Sequence, residues 1–175
     1  MYNKLSQLRV ETDRLFIRPV IQSDLQAFYD MHTVDEVNIY LPYSTWVTWD
    51  DAEQWFAKVQ NRRELKESEQ YVLERKQDSK VVGSCIVFNF IETEQSVEFG
   101  YVLNRQAWGL GYMQEAIIGL MASLKKHAEV HQMRAQVELN NQASLSLLNK
   151  LGFKKIGEKL EEENKRLATF TRALS

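Results

Sequence analysis

Residues 96–124 join a strand pattern, a glycine-bearing loop and a helix pattern, and this succession limits the possible folds most. Between Ser96 and Leu103 apolar side chains alternate with Glu98 and Gly100, the period of a half-buried strand. The loop that follows carries two glycines, which allow a sharp turn and close approach of a ligand. Helical spacing then begins, with an apolar stripe of Ile117, Leu120, Met121 and Leu124. Because a helix N-terminus offers unpaired N–H groups, the stretch predicts a pyrophosphate-type anion site.

The other patterns along the chain predict a mixed α/β layer rather than a regular βαβ repeat. Strands are predicted at residues 15–18, 71–75, 81–90, 96–103 and 133–139, around Ile156, and at 167–174. Helices are predicted after Ser23, after Thr48, over residues 117–124 and from Asn141 to the terminal glycine Gly152. The resulting order is β-α-α-β-β-β-α-β-α-β-β, in one domain spanning residues 1–175.

Local signals refine three of these elements. Ser23 is predicted to cap the first helix, which buries Leu25, Phe28 and His32 on one face. The segment Thr48-Trp49-Asp50-Asp51 has the spacing of a capping box, and we expect the second helix to continue through Arg62 and Arg63. The continuous apolar run 81–90 predicts a strand that is buried on both faces.

Composition excludes several classes of protein. The 22 basic and 24 acidic side chains give a net charge of −2, which argues against a general nucleic-acid binder. The single cysteine, Cys85, cannot form an internal disulfide and is expected to be inert packing; no Cys/His spacing suggests a metal site. The uncharged run Ala116–Leu124 is far shorter than the roughly 20 residues of a bilayer span, and the N-terminus lacks a signal-peptide pattern. We expect a cytoplasmic protein with no membrane partner.

Charge is unevenly distributed between the two ends of the chain. Residues 1–60 carry five basic and nine acidic side chains, whereas residues 104–175 carry eleven and seven. The extreme segment is 30–55, with six acidic side chains, five tyrosines and tryptophans, and no lysine or arginine. This acidic, aromatic segment suits a cationic ligand, and the basic C-terminal part suits an anionic one. Alternatively, Asp50, Asp51 and Glu53 sit in a first helical turn, where the helix dipole favours carboxylates.

The loop lacks the lysine of a Walker A motif, and its glycine series stops at Gln114, so it is not a Rossmann fingerprint. Alone, Gly-x-Gly also fits a simple tight turn. In context, however, Gln106-x-x-Gly109-x-Gly111 resembles the acetyl-coenzyme A loop of the GNAT superfamily of N-acetyltransferases. Four further motifs between about residues 11 and 160 resemble its RimJ/RimL-like branch: Glu11-Thr12-Asp13-Arg14-Leu15-x-x-Arg18-Pro19, Val97-Glu98-Phe99-Gly100-Tyr101, Asn141-x-x-Ser144 and Lys150-Leu151-Gly152-Phe153.

The resemblance implies a GNAT-type acyl-CoA N-acyltransferase fold, with a central, mixed, mostly antiparallel sheet flanked by helices. It implies direct transfer of acetyl from acetyl-CoA to a primary amine, without a metal. The cofactor is expected between the strands near 97–103 and 133–139. Its pantetheine arm would lie along Phe99, Gly100, Tyr101 and Val102 and touch Asn141. Its pyrophosphate would bind at the loop, where the resemblance implicates Gln106, Trp108, Gly109, Leu110, Gly111, Tyr112 and Met113.

For the chemistry, the resemblance implicates Glu98 as the base, acting through a water, and Ser144 as the proton donor. Glu98 could instead be an ion-paired strand carboxylate. Ser144 could instead bond its own helix backbone. Many superfamily members carry a tyrosine acid where this chain has Leu148, which removes the usual donor.

The acceptor is expected in the acidic, aromatic segment, where Asp35, Glu36, Tyr40 and Trp46 are candidate contacts. A protein N-terminal α-amine of the ribosomal-protein type is the first expectation. A polyamine, an aminoglycoside or another small amine stays open, as does a non-catalytic acetyl-CoA sensor. His32 is ambiguous at the end of the first helix, and either a monomer or a homodimer is compatible with the sequence.

Overall fold

The computed structural model describes residues 2–161 and 165–174, and its strands form one eight-stranded sheet. The sheet order is β1-β2-β3-β4-β5-β6-β8-β7. Every pairing is antiparallel except β5 with β6. The strands are β1 Val10–Glu11, β2 Leu15–Pro19, β3 Ser68–Arg75, β4 Lys80–Ile91, β5 Ser96–Leu103, β6 Gln132–Glu138, β7 Lys154–Leu160 and β8 Arg166–Ala173. The predicted mixed, mostly antiparallel sheet is confirmed.

The helices are α1 Tyr2–Leu5, α2 Leu25–His32, α3 Asp35–Asn38, α4 Trp49–Glu64, α5 Tyr112–Ala128 and α6 Gln142–Lys150. The predicted order of elements is confirmed from β2 to β8. The structure adds three short elements: α1 and β1 before β2, and α3 between α2 and α4. These elements have four residues or fewer, which is too few for a hydrophobic period to show. Among the described residues, no helix is long and apolar enough to cross a membrane.

Two local predictions are wrong. Ser23 does not cap α2, because the N-cap position is the next residue, Asp24, whose side chain makes no capping bond to the helix. The buried Asp24 carboxylate instead accepts the backbone N–H of Ile21, in the short turn before α2, at 2.9 Å. Strand β4 is not buried on both faces throughout. Its pairing with β3 ends at Phe88, and Asn89 beyond that point is exposed. The end of β4 beyond Phe88 therefore lies outside the core.

Two apolar clusters cover the two faces of the sheet. On one face α5 and α6 pack against odd-numbered residues of β5, and Val97 and Phe99 lie in the same cluster as Ile117 and Leu148. On the other face α2 and α4 form the second cluster, whose buried side chains include Phe28, Met31, Trp46, Ala52 and Val59. Even-numbered residues of β5 therefore face the second cluster, as the packing of Val102 against it shows.

The pairing between β5 and β6 is short. It covers only Ser96–Glu98 against Gln132–Arg134, whereas β4 pairs with β5 as far as Leu103. From residue 99 onward, the ladder between β5 and β6 has ended. The sheet therefore presents a free backbone edge along residues 99–103, next to the start of α5.

Candidate active site

The loop between β5 and α5 is held in place by local contacts. The side chain of Asn104 accepts the backbone N–H of Gln106, and Trp108 Nε1 donates to the Leu103 carbonyl at 3.0 Å. The Arg105 guanidinium lies over the Trp108 ring, 4.6 Å from its centroid. Trp108 thus packs beside the loop as a support. Its backbone N–H already makes a long bond of 3.4 Å to the Arg105 carbonyl.

The two glycines of the loop adopt conformations that favour glycine. Gly109 has φ +75° and Gly111 has φ +78°. A side chain added at Gly109 would meet nothing within 4 Å, so the loop surface there is open. Gly111 is the N-cap of α5, which leaves the first-turn amides of Tyr112 and Met113 without partners inside the helix. The loop therefore presents donors and a positive dipole end to an open surface.

Arg14 reaches this loop from the β1–β2 turn, and the sequence analysis did not assign it a role. Its guanidinium donates to the Leu110 carbonyl at 2.9 Å and stacks on the Tyr112 ring at 4.5 Å. It also pairs with Glu115 at 2.6 Å. Burial alone would raise the pKa of Glu115, but bonds from Thr12 and Arg14 outweigh it and hold that pKa below its usual range. The one acidic group in the first turn of α5 is thus neutralised.

The loop and the free edge of β5 have the chemistry that acetyl-CoA binding requires. The open donor loop suits the negatively charged pyrophosphate, and the free backbone edge of β5 suits an extended amide-bearing arm. Residues predicted to hold the cofactor, from Phe99 to Val102 and from Gln106 to Met113, lie along this edge and loop. Asn141 caps α6, where its side chain accepts the Ser144 N–H at 3.1 Å. The residues of the loop, of the β5 edge and of the start of α6 therefore fit acetyl-CoA.

Glu98 is the last residue of β5 that pairs with β6, where it lies opposite Arg134. Asn89 donates to one of its carboxylate oxygens at 2.9 Å. Arg134 forms its ion pair with Glu94, so this strand neighbour does not neutralise the Glu98 carboxylate. Its side chain lines a cavity of about 310 Å³, whose other lining residues are Asn89, Phe90, Ile91, Ser96, Val97 and Arg134. The cavity gives room for a water beside the carboxylate.

Ser144 and Tyr101 come together on the opposite face of β5. The Tyr101 hydroxyl is buried and, within the described part of the chain, has no partner in hydrogen-bond geometry. Burial raises the pKa of this phenol to about 12, although Ser144 acts on it in the opposite direction. Ser144 is thus near enough to the hydroxyl to influence its pKa. Leu148 is completely buried in the core.

The acceptor candidates separate into exposed and buried groups. Asp35 and Glu36 are exposed, and Asp35 accepts a bond from Thr45 at 2.6 Å. Tyr40 is also exposed, and its hydroxyl donates to the Asn140 carbonyl at 2.9 Å. Trp46, by contrast, is only 7% exposed. Its ring lies 4.5 Å from His32, so it forms the wall of this region rather than its surface.

The alternative interpretation holds for part of the acidic segment. Asp51 completes the predicted capping box, because its carboxylate accepts the Thr48 N–H at 2.8 Å. Bonds from the Thr48 and Val47 backbone lower the pKa of Asp51. Asp50 accepts from Gln54 one turn along the same helix. These two acids serve α4, whereas Asp35 and Glu36 are exposed acids of α3.

His32 is a buried polar group whose environment the sequence could not define. Its Nδ1 lies 3.0 Å from Asn38 Oδ1, and the Asn38 amide donates to the His32 carbonyl at 2.7 Å. That amide orientation makes Nδ1 the protonated nitrogen of a neutral ring. Nε2 has no partner among the described residues. Burial lowers the pKa of His32 below its ordinary value.

Folding stability should consequently fall in mild acid. The unfolded chain gains a proton on His32 below about pH 6.5, whereas the folded chain resists it, so stability is complete above that pH. As the pH falls from 7.5 to 5.5, this group should remove up to about 1.4 kcal/mol per pH unit below 6.5. Urea unfolding at both pH values measures the loss. His32→Gln should flatten the dependence, and exposed His127→Gln should leave it unchanged; equal slopes in all three proteins would contradict this assignment.

Comparison with known proteins agrees with this geometry. Residues 14–154 match the family model of the acetyltransferase (GNAT) domain. An uncharacterised N-acetyltransferase, p20, of Bacillus licheniformis is 27% identical over 147 residues, covering 83% of this chain and 82% of that protein. An uncharacterised N-acetyltransferase of Bacillus subtilis, YoaA, is 25% identical over 151 residues, covering 85% and 84%.

Solved structures show the same fold at low identity. RimL, a ribosomal L7/L12 α-N-protein acetyltransferase solved with coenzyme A, superposes with a TM-score of 0.84 at 13% identity, covering 95% of this chain and 98% of that one. A spermidine N-acetyltransferase from Vibrio cholerae, solved with CoA and spermine, gives a TM-score of 0.79 at 16% identity, covering 91% and 95%. The two structures share the fold and differ in the acceptor that their descriptions name.

Proposed function

Since this chain belongs to the GNAT family and is an acetyl-CoA-dependent N-acetyltransferase, we propose that its acceptor is a protein N-terminal α-amine of the ribosomal-protein type. One observation carries the proposal: the bond from Tyr40 to the Asn140 carbonyl holds the acidic segment against the start of α6. The acids of α3 thereby lie on the same side of the molecule as the cofactor candidate Asn141. A cationic amine attracted by Asp35 and Glu36 is delivered towards the free edge of β5.

The residues divide the work between binding and proton transfer. The amides of the glycine loop and Arg14 bind the anionic end of the cofactor, and the backbone along Phe99 to Val102 orients its arm. Acetyl-CoA supplies an acetyl group activated as a thioester. Asn89 holds one oxygen of Glu98, and the carboxylate removes the proton of the amine through a water in its cavity. A backbone N–H of β5 polarises the acetyl carbonyl.

The proton chemistry favours an α-amine. An ordinary α-amine has a pKa of about 7.7–8.0, so roughly a tenth of it is uncharged at pH 7, whereas a lysine-type amine with a pKa of about 10.4 is almost entirely protonated. A carboxylate acting through one water is therefore sufficient to deprotonate an α-amine. Spermidine is the second candidate, because the exposed acids of α3 would also suit a polycation, and a spermidine acetyltransferase shares the fold.

The decisive experiment measures coenzyme A release from acetyl-CoA with a panel of amines. The panel contains an Ala-starting peptide of ribosomal-protein type, the same peptide blocked at its N-terminus but with a free lysine, spermidine, an aminoglycoside and free amino acids. We expect the highest kcat/KM with the unblocked peptide and background release with the blocked one. Turnover confined to spermidine or to the aminoglycoside would overturn the proposed acceptor while retaining the enzyme class.

Neutralising the acids of α3 should weaken acceptor binding alone. Asp35→Asn and Glu36→Gln should each raise the acceptor KM about threefold to fivefold, since an exposed charge pair contributes up to about 1 kcal/mol. The Kd for coenzyme A should not change. Steady-state kinetics with the preferred amine tests this. Glu64→Gln, an exposed acid at the far end of α4, is the matched control, and an equal KM in all four proteins would discard this acceptor surface.

A further inference from the structure

The buried hydroxyl of Tyr101 is not explained by folding. Its ring stacks on Phe99 with centroids 5.9 Å apart, which fixes the side chain on the α5/α6 face of β5. Its oxygen has no partner in hydrogen-bond geometry among the residues the structure describes. A buried polar group without a partner costs free energy, so such groups in native proteins call for a specific reason.

The position of the phenol indicates that reason. Tyr101 lies on the part of β5 whose ladder with β6 has ended, the edge that fits the pantetheine arm. Ser144 approaches from the first turn of α6, where Asn141 fixes the backbone. On the β4 side Tyr101 is paired with Cys85, whose Sγ contacts Met113 of α5. The groups acting on the phenol are thus a serine and a buried neutral thiol.

We infer that Tyr101 is a catalytic residue that protonates the sulfur leaving the acetyl group, with Ser144 relaying the replacement proton. Tyr101 gives its phenolic proton to the sulfur while the carbon–sulfur bond breaks and the sulfur keeps its electron pair. The amine nitrogen forms the new bond to the acetyl carbon and loses one proton to Glu98 through water. Glu98 then releases its proton to solvent, and the tyrosine oxygen regains one from solvent through Ser144, so charge and atoms balance. The inference rests on the acetyl-CoA-dependent activity and holds for any amine acceptor.

The phenol suits this task better than the serine hydroxyl. An aromatic hydroxyl is a stronger acid than an aliphatic one, and with a pKa of about 12 it is fully protonated at neutral pH. Leu148, at the position where many superfamily members have a tyrosine, is buried in the core and has no proton to give. Tyr101 lies on the strand instead of the helix and packs against the apolar cluster that contains Leu148.

Coenzyme A binding tests the contact without turnover. A phenol that donates to the sulfur favours the thiolate, so the affinity of wild type for coenzyme A should rise about tenfold between pH 7 and pH 9, across the ordinary thiol pKa of about 8.5. Burial holds the pKa of both Tyr101 and Cys85 near 12, so neither titrates in this range. Titration calorimetry with Tyr101→Phe should show no such rise. The same rise in the variant would overturn the inference.

Stability separates a catalytic role from a structural one. Removing a buried hydroxyl that has no partner in hydrogen-bond geometry among the described residues should leave the melting temperature of Tyr101→Phe equal to or above that of wild type. Tyr71→Phe is the matched control, since it removes a buried hydroxyl that donates to the Leu5 carbonyl at 2.8 Å, and it should melt lower. A Tyr101→Phe protein that melts as low as the control would show that the hydroxyl is a structural group, against the inference.

Kinetics completes the test. With any amine that wild type accepts, kcat of Tyr101→Phe should fall about 100-fold at unchanged KM for acetyl-CoA. The double variant with Ser144→Ala should be about as slow as Tyr101→Phe alone, because the two groups act as one unit. Wild-type kcat in Tyr101→Phe would overturn the inference. If only the proposed acceptor fails, the other amines and the coenzyme A titration still decide the role of Tyr101.

Discussion

A Gly109→Glu variant should bind coenzyme A about 1,000-fold more weakly than wild type. Gly109 has φ +75°, where a side chain costs about 1–2 kcal/mol, and the loop surface above it is open. The strain accounts for about tenfold of the loss. The added carboxylate accounts for about 100-fold, because two like charges about 5 Å apart repel by about 3 kcal/mol at an effective dielectric constant of about 20. Titration calorimetry at low ionic strength measures both affinities.

The matched control for this prediction is Gly109→Gln. Glutamine introduces the same backbone strain and nearly the same volume, so the ratio between the two variants isolates the charge. That ratio should shrink when the salt concentration is raised, since screening weakens repulsion at an exposed site. If Glu and Gln weaken binding equally at every salt concentration, the pyrophosphate does not lie at Gly109 and the anion site must be placed elsewhere.

Local patterns explain why most of the fold could be predicted. The alternation from Ser96 to Leu103, the capping box at Thr48 and Asp51, and the glycine ending α6 are each confirmed. Each signal lies within a few residues, where backbone geometry follows from neighbouring side chains. The cap predicted at Ser23 is wrong by one position, because the N-cap of α2 is Asp24, whose carboxylate bonds Arg18 and the Ile21 N–H rather than the helix.

Long-range contacts explain what could not be predicted. Arg14 and Glu115 are 101 residues apart in the chain, and only the folded structure shows that Arg14 neutralises the start of α5. The approach of Ser144 to the Tyr101 hydroxyl likewise depends on how β5 and α6 meet. The orientation of the Tyr101 ring could be anticipated from the strand alternation. The burial of its oxygen without a partner among the described residues could not, because the surroundings of one buried atom depend on the packing.

The acceptor side was the less predictable half of the site for the same reason. Acidic and aromatic composition identified the segment, but composition cannot separate surface groups from walls. The structure separates them: Asp35 and Glu36 are exposed, whereas Trp46 packs against His32 and Trp55. The exposed acids are thus candidates for attracting the amine, and the buried rings set the shape of the region.

The helix α4, which carries Trp55, is joined to β3 by a buried ion pair. Glu69 of β3 is 0% exposed, and one of its oxygens accepts Arg63 at 2.9 and 2.6 Å while the other accepts Tyr2 at 3.2 Å. Arg63→Leu should lower the free energy of unfolding by about 3–5 kcal/mol, because it leaves a buried carboxylate without its cation. Urea unfolding at neutral pH measures this loss.

Two further variants determine whether the pair, rather than the arginine stem, is responsible. Arg62→Leu removes a neighbouring, exposed cation from the same turn of α4 and should change stability by no more than about 0.5 kcal/mol. The double variant Arg63→Leu/Glu69→Leu should recover much of the loss, since no unpaired charge is left in the core. If the double variant is less stable than Arg63→Leu alone, packing of the arginine against β3 outweighs the charge, and the electrostatic explanation is wrong. If it recovers, the buried carboxylate is what ties the C-terminal end of α4 to the sheet, and with it the helix that supports the acceptor side.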